Sequence, residues 1–344
     1  MKTKLILIQR GLRLAYAFRE TKKKIFAINS KIHDSYLVQN ELFKNSWGQR
    51  PLKGRVVEIH LNSLGYDDFK KFSTLNFNSR QNFQLSRIFR LIDPNLELVY
   101  IAPEEIQIDI LAYYLKILEV SGAEEPQNRL HILYPENYEF FRKNNLSLAA
   151  LTLYSPRLMK EIQRIIENKY AYIVNGFPSF NDEKLSVKLQ AAIVTGVPSF
   201  NRIFTQKFAA KSLFQKLKLP TLASSPFIRT QRDLFHSVAN LMVENPQIKR
   251  WMVKINDEYN GRGLAQLSID NFTILNDLQK HARNDRKYLK EVRNYVKKFL
   301  PTYLSPMAPT LFKSYSEYVD NLNVFGGIIE QVPAKSNFFP NFHF

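Results

Sequence analysis

The chain has 344 residues, 45% of them hydrophobic, enough to bury one large core or two ordinary ones. It contains no cysteine, which excludes disulfides, thiolate metal sites and cysteine nucleophiles and fits a reducing compartment. The net charge of +18 points to a polyanionic partner, and it is uneven: residues 1–56 hold 13 Lys or Arg against 3 acids, +10 of the total.

The chain opens MKTKLILIQRGLRLAYAF, where Arg10 and Arg13 interrupt the apolar run that a signal peptide needs. No stretch has the length of a membrane span, so the expectation is a soluble, intracellular protein. Ile8, Leu12, Ala15 and Phe18 fall at helical spacing, as do Ile25, Ile28 and Ile32, which predicts one or two basic amphipathic helices. Gly48, Pro51 and Gly54 then read as a linker.

Short apolar runs follow at Arg55–Leu61, Leu96–Ala102, Leu130–Tyr134, Tyr170–Val174 and Ala191–Thr195. The stretch from Asp67 to Asn82 reads as loop and helix. Helical periodicity covers Ile106–Val120, with Gly122 as its C-cap, and Pro156–Glu167 behind a Ser155 N-cap. Strand, turn, helix and strand at this spacing predict a parallel sheet in a Rossmann-like domain. No G-x-G-x-x-G follows any of the strands, so a dinucleotide site has no support.

From residue 205 the texture changes. Thr205–Leu217 and Arg232–Glu244 read as helices, with a short strand Phe227–Ile228 between them. Trp251–Ile255 and Leu264–Ile269 read as strands joined by a polar turn. Phe272–Phe299 reads as a basic helix or helix pair, and Asn323–Val332 as a strand containing Gly326-Gly327. The domain expectation is an arm over 1–54, an α/β domain over 55–204 and a further domain over 205–344.

The residues that carry chemistry are spread over 205–332. Lys207 lies on a helix, Lys254 lies inside an apolar strand, Gly261-Arg262-Gly263 forms a turn, and Glu330 closes a β run. A lysine on a rigid strand neutralises phosphates, and a glycine turn brings backbone N–H groups close to them. Each residue also has a plain reading. Lys207 is then a solvated lysine, the glycines a hairpin turn, and Glu330 a solvent-facing strand position. A lysine inside an apolar strand, by contrast, needs a reason. Other chemistries fail. His33, His60, His131, His236, His281 and His343 lack metal-ligand spacing, and there is no P-loop or G-x-S-x-G elbow.

The order Lys207, Lys254, Gly261–Gly263 and Glu330 resembles the ATP-grasp superfamily of carboxylate–amine ligases and biotin carboxylase-type enzymes. The region before it resembles the pre-ATP-grasp domain. More narrowly, Leu98-Val-Tyr-Ile-Ala-Pro103, Leu153-Tyr-Ser-Pro156, Ala171-Tyr-Ile-Val-Asn-Gly176, Trp251-Met-Val-Lys254 and Gly326-Gly-Ile-Ile-Glu330 resemble the IQ-motif-containing protein H family of ciliated and flagellated cells. The resemblance spans roughly residues 50–332. It implies a Rossmann-like pre-ATP-grasp domain followed by the N-terminal part of an ATP-grasp domain. It further implies that Lys207 and Lys254 contact ATP phosphates, that Gly261, Arg262 and Gly263 cover them, and that Glu330 lines the adenine pocket. The loop 257–263 is poorer in glycine than in active ligases. The superfamily's acidic Mg²⁺ ligands lie downstream of Phe344.

The expectation is therefore a structural or regulatory component of the ciliary axoneme on a truncated, non-catalytic ATP-grasp fold, in the cytoplasm and the axoneme. The competing expectations are an ATP-dependent carboxylate–amine or thiol ligase, if downstream Mg²⁺ ligands exist, and an RNA-binding protein. In the arm, Ile8-Gln9 with Arg13 and Arg19 resembles an IQ motif, a basic helix that docks in calmodulin. It departs from the pattern at Leu14 and Phe18. The expected partners are acidic axonemal proteins or a microtubule-associated complex, with calmodulin a further candidate, no membrane, and nucleic acid disfavoured.

Overall fold

The structure, a computed structural model, describes residues 2–49, 55–66, 74, 76–82, 84–258, 261–270, 272, 274 and 286–333, with side chains from residue 16 onward. It divides into two compact units, Met1–Asn201 and Arg202–Phe344. Among the described residues no helix is long and apolar enough to cross a membrane.

The first unit is built on five parallel strands: β1 Val56–Leu64, β2 Leu96–Ile101, β3 Leu130–Leu133, β4 Tyr170–Phe177 and β5 Ala192–Ile193. Their order is β3-β2-β1-β4-β5. The chain winds outward from β1 through β2 to β3, then crosses back to β4 on the other side of β1. Because side chains alternate across a strand, β1 feeds both faces of the sheet. Val57, Ile59 and Leu61 join a core with Tyr36, Leu148, Leu158, Ile162, Ile173 and Leu185. On the opposite face, Leu98 and Tyr100 of β2 pack with Ile88, Leu91 and Leu118. The helices Ile108–Val120, Leu148–Leu153, Pro156–Ile166 and Phe180–Leu189 lie between strands.

Polar residues are built into the central strand. Glu58 and His60 are 2% and 3% exposed. Arg90 donates to Glu58 Oε1 at 2.7 Å, Tyr172 donates to the same oxygen at 2.5 Å, and His60 Nε2 lies 2.8 Å from Glu58 Oε2. Burial alone would raise the Glu58 carboxyl, but these three hydrogen bonds outweigh it and hold it at about 2. Burial pushes the His60 imidazole below its ordinary range, and Glu58 offsets only part of that.

The arm is a single helix, Lys2–Ser46, about 68 Å long at 1.5 Å per residue. Its C-terminal part docks on the sheet domain. Tyr36 is fully buried, Gln39 donates to Ser186 O at 3.2 Å, and His33 Nδ1 lies 2.8 Å from Glu183 Oε2. Phe43 and Trp47 stack against Tyr170 and Tyr172. Tyr16, Phe18 and Phe26 are about 70% exposed. Linker residues 51–54 lie outside the described residues.

The second unit has four antiparallel strands, β6 Arg250–Ile255, β7 Leu264–Ser268, β8 Leu304–Pro306 and β9 Gly327–Gln331, in the order β8-β7-β6-β9. Trp251, Val253, Ala265 and Leu267 face a core filled by Leu234, Val238 and Met242 of the helix Gln231–Glu244. Val292, Val296 and Leu300 of Arg286–Tyr303 and Tyr318 and Leu322 of Tyr315–Phe325 complete it. The helix Lys207–Lys216 contacts β9.

Several expected boundaries are corrected. Asn323–Phe325 are the end of a helix, not the start of a strand, and Gly326 caps that helix at φ +70°. A Cβ at Gly326 would stand 2.2 Å from the Phe227 ring, so only glycine fits. Phe227–Ile228 is not a strand: Ser224 and Ile228 make isolated bridges to Glu330 and Gly327. Ser155 sits at the N-cap of its helix without a capping hydrogen bond. The Glu136 carboxylate accepts from Arg157 N and Leu158 N instead, at 2.7 and 3.2 Å. Of the long basic stretch, the described part is helix Arg286–Tyr303, while residues 275–285 lie outside the described residues.

Candidate nucleotide site in the second unit

Strand register places the central pair. On β6 the side chains of Trp251, Val253 and Ile255 point into the core, which leaves Met252 and Lys254 on the other face. Met252 is opposite Glu330 and Lys254 is opposite Ile328, so Lys254 and Glu330 are diagonal neighbours on one face. Lys254 Nζ lies 2.5 Å from Glu330 Oε2. Lys211, from the helix Lys207–Lys216, reaches the other carboxylate oxygen at 3.0 Å and donates to Leu222 O at 2.9 Å. Burial pushes the Glu330 carboxyl up, and Lys254 first and Lys211 second pull it below its ordinary value. Glu330 is therefore a paired carboxylate with a 15% exposed side chain, not a solvent-facing strand position.

Lys207 begins the same helix. The residue after β6, Asn256, ties that helix down: its carbonyl accepts from Lys207 N at 3.2 Å and its Oδ1 accepts from Phe208 N at 3.0 Å. The Lys207 ammonium donates to the carbonyl of Glu258. Lys207 and Lys211, four residues apart, share one helix face; the Lys211 ammonium reaches Glu330, and the Lys207 ammonium reaches the connection after β6.

Gly261, Arg262 and Gly263 lie in the connection of the β6–β7 hairpin, where Lys254 pairs with Leu264. Tyr259 and Asn260 lie outside the described residues. Gly261 adopts φ +75° with nothing within 4 Å of where a Cβ would stand, so its backbone is approachable. Gly263 has the opposite reason to be glycine: a Cβ would stand 2.5 Å from Glu258 Cβ. Its carbonyl accepts from the buried Tyr318 hydroxyl at 3.1 Å. Arg262 Nε stands 3.8 Å from Glu258 Oε2, an ion pair without a hydrogen bond.

The structure thus brings Lys254 and Glu330 together and adds Lys211, while Lys207, at the start of the same helix, is engaged with the carbonyl of Glu258. Sequence reading missed Lys211, although its i+4 spacing from Lys207 was visible. Two ammoniums share the one carboxylate of Glu330, which leaves an excess of positive charge there, and the approachable Gly261 backbone lies in the hairpin that follows β6. These residues fit a polyphosphate. Among the described residues no group of three or more His, Asp or Glu is arranged to hold a metal. In the arm, Ile8, Gln9 and Arg13 fall on the long helix with side chains outside the described residues, and Arg19 is exposed.

A family described as "IQCH-like, ATP-grasp" matches residues 198–339. IQ motif-containing protein H of Danio rerio is 26% identical over 341 residues, covering 92% of this chain and 32% of that protein. The chain therefore spans about a third of the length of this curated relative. Among solved structures, the biotin carboxylase domain of Hydrogenobacter thermophilus 2-oxoglutarate carboxylase, in complex with MgADP, ADP and bicarbonate, matches at 12% identity. Its TM-score is 0.36, over 81% of this chain and 44% of that chain.

Proposed function

We propose, from the premise that the chain belongs to the IQCH-like family through its ATP-grasp segment, that the second unit binds ATP by its phosphates. On this reading the protein works as a structural or regulatory component of the ciliary axoneme, not as a complete enzyme. The nucleotide half is carried by one observation, the convergence of Lys211 and Lys254 on the half-buried carboxylate of Glu330. Lys254 supplies charge from a rigid strand, Lys207 and Lys211 from the helix packed beside it, and the Gly261 turn supplies backbone N–H groups.

The axonemal half is supported by the resemblance to IQ motif-containing protein H and by the arm. Phe18, Phe26 and Ile28 are exposed beside Arg19, Lys22 and Lys24. A basic helix with an open apolar side suits an acidic protein groove. Calmodulin or an acidic microtubule-associated partner is the class to test. Charge reversal at Arg19 and Lys22 abolishes that binding if the reading holds.

Calorimetry of ATP, with and without Mg²⁺, on the wild type and Lys254→Met tests the nucleotide half. The expected result is binding that weakens at least about tenfold in the variant, with no phosphate release. Sustained phosphate release in Mg²⁺ moves the reading to an ATP-dependent ligase. Absence of binding both in the wild type and in Glu330→Gln, whose lysines are freed of their carboxylate, overturns the nucleotide half and leaves the fold as a scaffold.

A further inference from the structure

The two lysines on Glu330 are not equivalent. Lys211 is the more buried, at 10% exposure of its side chain, and it is held twice, by Glu330 Oε1 and by Leu222 O. Lys254 is more open, at 29%, and its ammonium meets Glu330 Oε2. A ligand phosphate arriving at this face finds Lys254 already neutralised. To use it, the phosphate must displace a carboxylate. That exchange would strand a half-buried anion if Lys254 were its sole counterion, and an unpaired buried charge is strongly disfavoured. Lys211 removes the difficulty, because it keeps the carboxylate compensated after Lys254 has left.

We propose that Glu330 is an internal competitor for the phosphate group of the nucleotide, and that Lys211 is the positioning residue that retains Glu330 when Lys254 is handed to the ligand. This rests on the nucleotide reading above and adds to it a regulated, self-occupied resting state. Ligand affinity is then the difference between two ion pairs on Lys254, and it responds to anything that alters the Lys211–Glu330 contact.

The alternative role for Glu330, a side chain that touches the nucleotide base, gives the opposite sign. The proposal predicts that Glu330→Gln, which keeps the shape and removes the charge, frees Lys254 and tightens binding of both ATP and inorganic tripolyphosphate by about tenfold. Lys211→Met leaves Glu330 to Lys254 alone and weakens both several-fold. The double variant binds as Glu330→Gln does, because Lys211 acts only through Glu330; such non-additivity is the signature of coupling. The experiment is calorimetry of the full chain with each probe, on the wild type, both single variants, the double variant and Lys254→Met, with melting curves to establish folding.

If the wild type binds and Glu330→Gln weakens ATP but not tripolyphosphate, Glu330 contacts the base and the competitor is overturned while the nucleotide site stands. If neither probe binds the wild type, Lys254→Met or Glu330→Gln, the nucleotide reading itself fails and takes this inference with it. Binding seen only in Glu330→Gln supports the competitor strongly. Should Glu330→Gln fail to fold, Lys211→Met decides: affinity unchanged or increased there refutes the positioning role.

Discussion

Each unit holds a buried or half-buried carboxylate in a cluster of donors, Glu58 in the first and Glu330 in the second, and the two clusters are built differently. In the first unit Glu58 is 2% exposed, and Arg90, Tyr172 and His60 engage its two oxygens on the central strand. In the second unit Glu330 is 15% exposed and shares its oxygens between Lys211 and Lys254 near the edge of a β-hairpin. In the first arrangement the cation is Arg90, whose side chain is 56% exposed, and the other two partners are the Tyr172 hydroxyl and an imidazole that burial keeps below its ordinary range, so losing Arg90 would leave Glu58 with no second cation. The second has a partially exposed lysine at one end and a buried anchor at the other. Ion-pair chemistry alone therefore does not mark a site. What distinguishes the two clusters is whether one member can leave while the rest stay compensated.

The largest expected effect tests the buried cluster of the first unit. Glu58→Leu strands the Tyr172 hydroxyl and the buried His60 imidazole and should cost about 3 kcal/mol, read as a lower urea midpoint. A loss below about 1 kcal/mol would erase the contrast. The same residue gives a pH signature. Its folded value of about 2 lies below the ordinary 4.5. The stability it contributes is therefore fully present above pH 4.5 and is lost as pH falls towards 2. That amounts to about 3 kcal/mol at 1.36 kcal/mol per unit. Glu58→Gln should flatten this part of the pH profile.

In the second unit Gly326→Ala should cost about 2–3 kcal/mol, since it strains a positive φ and drives a methyl into the Phe227 ring. Thermal melting reads it. Glu330→Gln should change stability by only about 1 kcal/mol or less, because the pair is partly solvated. A loss as large as that of Glu58→Leu would mean that Glu330 is structural too. The floor of the comparison is the exposed pair Lys116–Glu119. Lys116→Ala there should shift stability by less than about 0.5 kcal/mol.

Local pattern located most strands. The apolar runs at β1, β2, β4, β6 and β7 are long enough to stand out between turn residues. The helix Phe180–Leu189 was legible but overlooked: Ser179 and Asp182 form a capping box, with Ser179 N donating to Asp182 Oδ2 at 2.8 Å. The strand Leu304–Pro306 was not legible. It has three residues, includes a proline, and exists only because β7 offers it a partner. The end of the helix Tyr315–Phe325 was misread as strand because its apolar residues run directly into those of β9.

For the candidate site, Lys254 was legible because an ammonium in an apolar strand has no local explanation. Glu330 was legible by position but not by state. Sequence spacing does not reveal that β9 pairs with β6 in a register that sets Glu330 diagonal to Lys254.

The sequence by itself determined the alternation of elements, the basic helical arm and the residues able to meet a phosphate, because these follow from periodicity, charge and residue type within a short window. Tertiary structure alone decided that Lys211 and Lys254, 43 positions apart, share one carboxylate contributed by a strand 76 residues beyond Lys254. Strand register and helix docking are set by the whole core, and no local stretch of chain encodes them.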